Sequence, residues 1–188
     1  MCKIKLNIHI LNIYLLFSVI LLMITKIKAI EISIRNDDKI HNINNIIFKN
    51  QIDKKLTLNF IDQYYDMTKF PYLIDIISLT DISLIGNSNG TVFDFKNDRI
   101  GLIKITHDGN GETIVIKNII FKNFFNKEFI RTKSELSLIN LTSPSDNFFF
   151  VLSNCTIQNS YHCIMYFDVT TSISTHDNPS IVIENCNF

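Results

Sequence analysis

After residue 30 the apolar positions come in short bursts rather than helical stripes. Leu102–Thr106 reads Leu, Ile, Lys, Ile, Thr, and Thr91–Phe95 interleaves Val and Asp with Thr and Phe. Ile114–Ile116 and Ile181–Ile183 are β-branched runs of the same kind. Gly, Asn, Asp and Ser bound these runs, so each predicts a strand of three to six residues followed by a turn. No helical period is sustained. The best helix candidate is Asp53–Asp66, which is weakened by β-branched and aromatic residues.

The bursts repeat. INNIIFKN (43–50) and IKNIIFKN (116–123) agree at seven of eight positions. LSNCTIQN (152–159) and IENCNF (183–188) follow the same scheme, with an aliphatic residue at Ile116, Leu152 and Ile183, at intervals of 36 and 31. A second series of apolar runs begins near Leu73, Gly101, Leu136 and Cys163, at intervals of 28, 35 and 27. A longer echo links THDGNGETIVIKNIIF, ending at Phe121, with THDNPSIVIENCNF, ending at Phe188. Two independent series with one spacing argue for a structural repeat of about thirty residues.

Three short strands per repeat describe one coil of a parallel β-helix, in which each coil hydrogen-bonds to the next ~4.8 Å along the axis. Like residues then stack on like. Asn suits the corner, because it tolerates a left-handed backbone and its amide can bond the Asn of the next coil. Asn118, Asn154 and Asn185 fit such a ladder, with Asn87 as a candidate start. Ile119, Cys155 and Cys186 are expected to stack just inside it, and Phe121, Ile157 and Phe188 two residues on.

TDISLIGNSNGTVFDF (80–95), ETIVIKNIIFKNFF (112–125) and SIVIENCNF (180–188) resemble coils of the pectin-lyase-like, right-handed parallel β-helix superfamily. The resemblance covers roughly residues 70–188 and is the sole source of the handedness. The fold expectation is therefore an all-β, right-handed parallel β-helix of about four coils. Residues 1–29 form a signal segment, 30–70 a cap or irregular first coil, and 71–188 the solenoid. The competitor is a leucine-rich repeat: Leu79, Ile82, Leu84 and Asn87 match its opening, while the later units run one residue short.

The chain has 188 residues, long enough for one domain with a real core. Ile, Asn, Lys and Phe dominate; their AT-rich codons give spacing more weight than composition. Lys3 and Lys5 precede an apolar run at Ile10–Ile24, too short for a bilayer span but the length of a secretory signal core, with Ala29 at a plausible cleavage point. An uncleaved anchor is the alternative and the sole expected membrane contact; either way the remainder is secreted or on the extracellular face. Cleavage removes four lysines and no acid, leaving fourteen basic against eighteen acidic residues. A nucleic-acid partner is not expected.

Candidate chemistry is sparse. The resemblance implies polysaccharide lyases or hydrolases with clustered Asp beside Arg or Lys. The polygalacturonase motifs N-T-D, G-H-G and R-I-K do not occur. The one D-D pair, Asp37-Asp38, precedes the repeats, and Arg35, Arg99 and Arg131 sit beside no predictable Asp pair. No catalytic residue and no cofactor is assigned.

Asp108, Asn110 and Glu112 alternate oxygen ligands in a calcium-like spacing, but the set is incomplete and a solvated turn is preferred. His107 and His176 hold equivalent places in the long echo, read as surface turn residues before a metal or pH-sensitive pair. Sequons stand at Asn89, Asn140 and Asn154, about the three that Asn and Ser/Thr content alone yields. Cys155 and Cys186 share a coil position at disulfide distance, but parallel side chains favour buried free thiols; the pairing of Cys155, Cys163 and Cys186 stays open. Phe148, Phe149 and Phe150, with Tyr161, Tyr166 and Phe167, offer aromatic surface for sugars only where they face outward, and alternation puts at least one of the three Phe inside.

The sequence thus points to a binding, adhesion or structural protein with a glycan or protein ligand. A polysaccharide-active enzyme is the alternative. The repeat stops within a unit at Phe188, so a fragment of a longer solenoid, or edge-to-edge self-association, is also expected.

Overall fold

The computed structural model describes residues 29–37, 40–51, 55–98, 100–108, 110–124, 137–160, 163–170 and 181–188. The predicted signal segment lies outside them, apart from Ala29. Among the described residues no helix is long and apolar enough to cross a membrane.

The chain winds as a parallel β-solenoid of about four coils, each giving one strand to each of three sheets. The first coil holds β2 (Leu56–Phe60), β3 (Tyr64–Asp66) and β4 (Leu73–Ser78). The second holds β5 (Ile82–Ile85), β6 (Thr91–Asp94) and β7 (Leu102–His107). The third holds β8 (Thr113–Lys117), β9 (Ile119–Lys122) and β10 (Ile139–Ser143). The fourth holds β11 (Phe149–Ser153), β12 (Thr156–Gln158) and β13 (Met165–Val169), and β14 (Ile181–Glu184) follows. Before them come β1 (Ile30–Ile34) and one short helix, α1 (Ile43–Asn50). Sheet 1 has the order β1-β2-β5-β8-β11-β14, sheet 2 β13-β10-β7-β4 and sheet 3 β12-β9-β6-β3.

Strand register explains the repeats. Leu56, Ile82, Ile114, Phe150 and Ile181 are successive ladder partners in sheet 1. Leu58, Leu84, Ile116, Leu152 and Ile183 form the next inward column, which contains the 36- and 31-residue intervals. The second series of runs is sheet 2: Ile76, Ile105, Leu141 and Phe167 stack, as do Ile74, Ile103, Ile139 and Met165. Sheet 3 contributes Tyr65, Phe93, Phe121 and Ile157. Phe60, Tyr65 and Phe121 each stand edge-on to a neighbouring ring. The three inward faces meet in one core, as a period of two requires when one face of every sheet is buried.

Two expectations are corrected. Residues 43–50 are not a coil repeat of 116–123 but the helix α1. Ile43 and Ile47 are fully buried on one face while Phe48 is 63% exposed; its counterpart Phe121 is fully buried. The octapeptide suits both periods, and its neighbours decide: residues 116–123 lie between coils on both sides, whereas α1 packs on the edge strand β4. Asn44 there replaces a missing strand, its Nδ2 donating to the Leu73 carbonyl at 2.8 Å and its Oδ1 accepting from the Asp75 amide at 3.0 Å. Residues 53–66, the expected helix, instead hold β2 and β3, where packing of Leu56, Leu58 and Phe60 overrides weak local preference. The leucine-rich-repeat alternative also fails. Its conserved-type position Leu79 is 49% exposed, and the coils have three sheets rather than one.

Candidate functional site

Two asparagine ladders run along the corners of the solenoid. Six of the seven described non-glycine residues with positive φ are Asn, the exception being Lys96. Asn118, Asn154 and Asn185, at φ 58°, 51° and 52°, turn the chain from sheet 1. Asn154 Nδ2 lies 3.4 Å from Asn118 Oδ1, and its backbone amide donates to the Glu184 carbonyl. The corresponding place in the second coil is Gly86, not Asn87: Gly86 donates to the Lys117 carbonyl, and a Cβ there would overlap the Asn118 carbonyl. Asn87 instead spans a wider turn, bonding the Ile61 carbonyl through Nδ2 and the Thr91 hydroxyl through its amide.

The second ladder leaves sheet 3. Asn159 Nδ2 donates to Asn123 Oδ1 at 3.2 Å, and Asn123 Nδ2 to Asp94 Oδ1 at 2.8 Å. Sequence reasoning missed it, although Asn118/Asn123 and Asn154/Asn159 are both spaced five apart. Asp94 closes this ladder: it also accepts from the Tyr64 hydroxyl and the Lys96 amide, and Lys96 Nζ lies 3.3 Å away. Burial alone would raise its pKa, but these hydrogen bonds outweigh burial and hold the carboxyl below its usual value. A carboxylate with this many donors is a structural anchor rather than a proton carrier.

The outer face of sheet 2 differs. Asp75, Lys104, Asn140 and Tyr166 are ladder partners across its four strands, and Ile77, Thr106, Thr142 and Asp168 form the neighbouring row. Asp75, Ile77, Thr142 and Asp168 are exposed, and Lys104, Thr106, Asn140 and Tyr166 half-buried. Charge, hydroxyl, amide and aromatic groups thus stand in two straight rows. Sheet 1 has Thr57, Ser83, Val115 and Val151 in one outward row and Asn59, Ile85, Lys117, Ser153 and Glu184 in the next, but Thr57, Ser83 and Ser153 are buried.

At the inner end of sheet 2, His107 is the ladder partner of Ser78, and its ring packs 4.9 Å from Phe148. Its side chain is fully buried, so the surface reading is wrong. Both ring nitrogens lack a hydrogen-bond partner. Glu112, also buried, brings Oε2 to 3.8 Å from Nδ1, near enough for attraction but too far for a hydrogen bond. Burial lowers the His107 pKa, partly opposed by Glu112.

The remaining candidates do not converge. Glu112 turns inward and accepts from the Asn110 amide, whereas Asp108 is exposed and accepts from Asn110 Nδ2. Glu112 is buried rather than solvated, and Asn110 is bonded to both carboxylates. Among the described residues no group of three His, Cys, Asp or Glu side chains could hold a metal. Cys155, Cys163 and Cys186 are free thiols, respectively buried, exposed and half-buried. Phe148 and Phe150 are core, Phe149 belongs to sheet 1, Tyr166 to the outer face of sheet 2, and Phe167 packs inward on Phe150. Arg35 is exposed, while Asp38, Arg99, Arg131, Tyr161 and His176 lie outside the described residues. A hollow of about 230 Å³ between β1 and α1 is walled by Ile34, Ile40, Ile43 and Ile46, with Arg35 and Asp37 as polar lining. Compared with known proteins, the chain matches no family model, no curated protein and no solved structure.

Proposed function

We propose that the chain is a secreted or cell-surface solenoid that binds a glycan or protein surface through the outer face of sheet 2. The carrying observation is the pair of rows across that face, Asp75–Lys104–Asn140–Tyr166 and Ile77–Thr106–Thr142–Asp168. Groups ~4.8 Å apart within each row offer a repeating set to an extended ligand, and a half-buried tyrosine offers a ring face to sugar C–H groups. The lysine-flanked apolar run before Ala29 supports export. The left-handed Asn corners support kinship with right-handed pectin-lyase-like solenoids, and the usual hand of parallel crossovers supports the right-handed sense. The edge strands β13 and β14 are a second contact surface, suited to self-association.

The test is to express the full chain in a secretory host, collect it from the medium and screen it on a glycan array and on cell surfaces. Tyr166→Ala and Asp75→Ala should abolish binding without moving the urea midpoint. Binding that survives both substitutions overturns the assignment of the face. Shortening of a polysaccharide by the wild-type chain would put a polysaccharide-active enzyme in place of the binding role.

A further inference from the structure

We infer that Asn89 is an N-glycosylation site, modified on the nascent chain, and that it is the one sequon of the three that carries glycan in the folded, exported protein. The inference rests on the secretory reading above.

Asn89, Gly90 and Thr91 lie in and just after the wide turn that joins β5 to β6. Asn89 is exposed, and its side chain has no hydrogen-bond partner among the described residues. A large polar adduct there displaces no packed group. The other two sequons are engaged. Asn154 is also exposed but sits in the ladder, its Nδ2 directed to Asn118 Oδ1 at 3.4 Å and its following residue, Cys155, buried. Asn140 stands in mid-strand in β10, half-buried, with ladder partners Lys104 and Tyr166 on either side. A sugar placed on either before folding would crowd neighbours one strand spacing away, ~4.8 Å, and block coil pairing, so chains modified there do not reach the folded, exported pool.

Thr91 fixes the timing. Its hydroxyl, which an acceptor sequon must present, is fully buried beneath the turn. It accepts from the Asn87 amide at 2.9 Å and lies 3.3 Å from the Asp62 carbonyl and 3.4 Å from that of Phe60. Once the first and second coils pair, the Thr-dependent step is closed. Transfer must therefore precede coil closure, while residues 89–91 are extended. The co-reactant is a lipid-diphosphate-linked oligosaccharide of the secretory lumen. Nδ2 bonds to the sugar C1, the C1–O bond to diphosphate breaks, the lipid diphosphate leaves with the electron pair, and the amide gives up one proton. The turn joins sheets 1 and 3, so the glycan leaves the outer face of sheet 2 uncovered.

The test is translation of the full chain with endoplasmic-reticulum microsomes, followed by external protease, isolation of the natively folded fraction of the protected chain by its resistance to protease after detergent release, and then glycosidase. The expected result is a protected chain with one glycosidase-sensitive mass step, lost in Asn89→Gln and kept in Asn140→Gln and Asn154→Gln. Folded, unmodified chain offered to the same transferase activity after synthesis should gain nothing. A protected chain without the step, or with a step that survives Asn89→Gln, overturns the site and leaves the secretory reading standing. Efficient modification of the folded chain overturns the timing. A chain that the protease digests overturns both readings, because Asn89 then never meets the donor.

Discussion

Asn154 reaches across one coil to Asn118, amide to amide, while both residues hold the left-handed backbone that turns the corner. Two properties are combined in one residue type. Replacing Asn154 by Ala removes the bond and leaves a β-carbon residue at φ 51°. The expected cost is about 2 kcal/mol, from a lost hydrogen bond and an unfavourable backbone. Asn154→Gly keeps the backbone freedom and should recover part of the loss. Urea midpoints of the two variants separate the contributions; equal midpoints would mean that backbone conformation contributes nothing.

Gly86 fills the same corner in the second coil for a steric reason. An added Cβ would overlap the Asn118 carbonyl and stand 2.9 Å from the Thr91 Cβ. Gly86→Ala must push two coils apart, at a cost of about 3 kcal/mol. Gly111→Ala provides the contrast: its Cβ would meet the Asn147 side chain at 3.3 Å, at φ +91°. There the left-handed backbone penalty of about 1–2 kcal/mol dominates. Equilibrium unfolding in urea should rank the two in that order.

These corners also show what the sequence makes legible. The column Ile116, Leu152, Ile183 and the sheet 2 runs were readable because stacked coils force like residues into register. The position of Gly86 was not, because a glycine and an asparagine answer one backbone demand with different residue types. The helix at 43–50 was hidden for a different reason. Its pattern is degenerate between two periods, and the deciding contact, Asn44 on the edge of β4, is long-range. The rows on the outer face of sheet 2 depend on strand register across insertions of unequal length, which no local pattern carries. His107 was misplaced because the turn residues Asp108 and Asn110 beside it are polar, while its own position continues the inward alternation of Ile103 and Ile105.

Thiol reactivity gives an independent check of the core. Burial pushes the Cys155 thiol up to about 12, so almost no thiolate exists at neutral pH, and the group is also shielded. Cys163 is exposed. Alkylation of the native protein at pH 8, read by peptide mass spectrometry, should modify Cys163 first, Cys186 next, and Cys155 only after unfolding. Prompt labelling of Cys155 would contradict the packing of the third and fourth coils.

His107 should make the solenoid acid-sensitive. Burial lowers its pKa, so the folded protein holds the ring neutral where an unfolded chain, with a pKa near 6.5, takes up a proton. The unfolded state therefore binds more protons below that value, and stability rises with pH. This contribution is complete above about pH 6.5 and is lost as pH falls from there toward the lower folded-state pKa. Glu112 is the charged group that faces the ring. The groups nearest it on the neighbouring elements are Ser78 of β4, Phe148 before β11 and, from the register, Ser143 of β10, none of them ionised. Melting temperatures from pH 8 to 5 should fall more steeply for the wild type than for His107→Leu, which cannot protonate. Glu112→Gln should steepen the wild-type decline, because it removes the carboxylate that favours the imidazolium. Parallel curves for wild type and His107→Leu would show that the ring is already protonated, or already solvated, in the folded state.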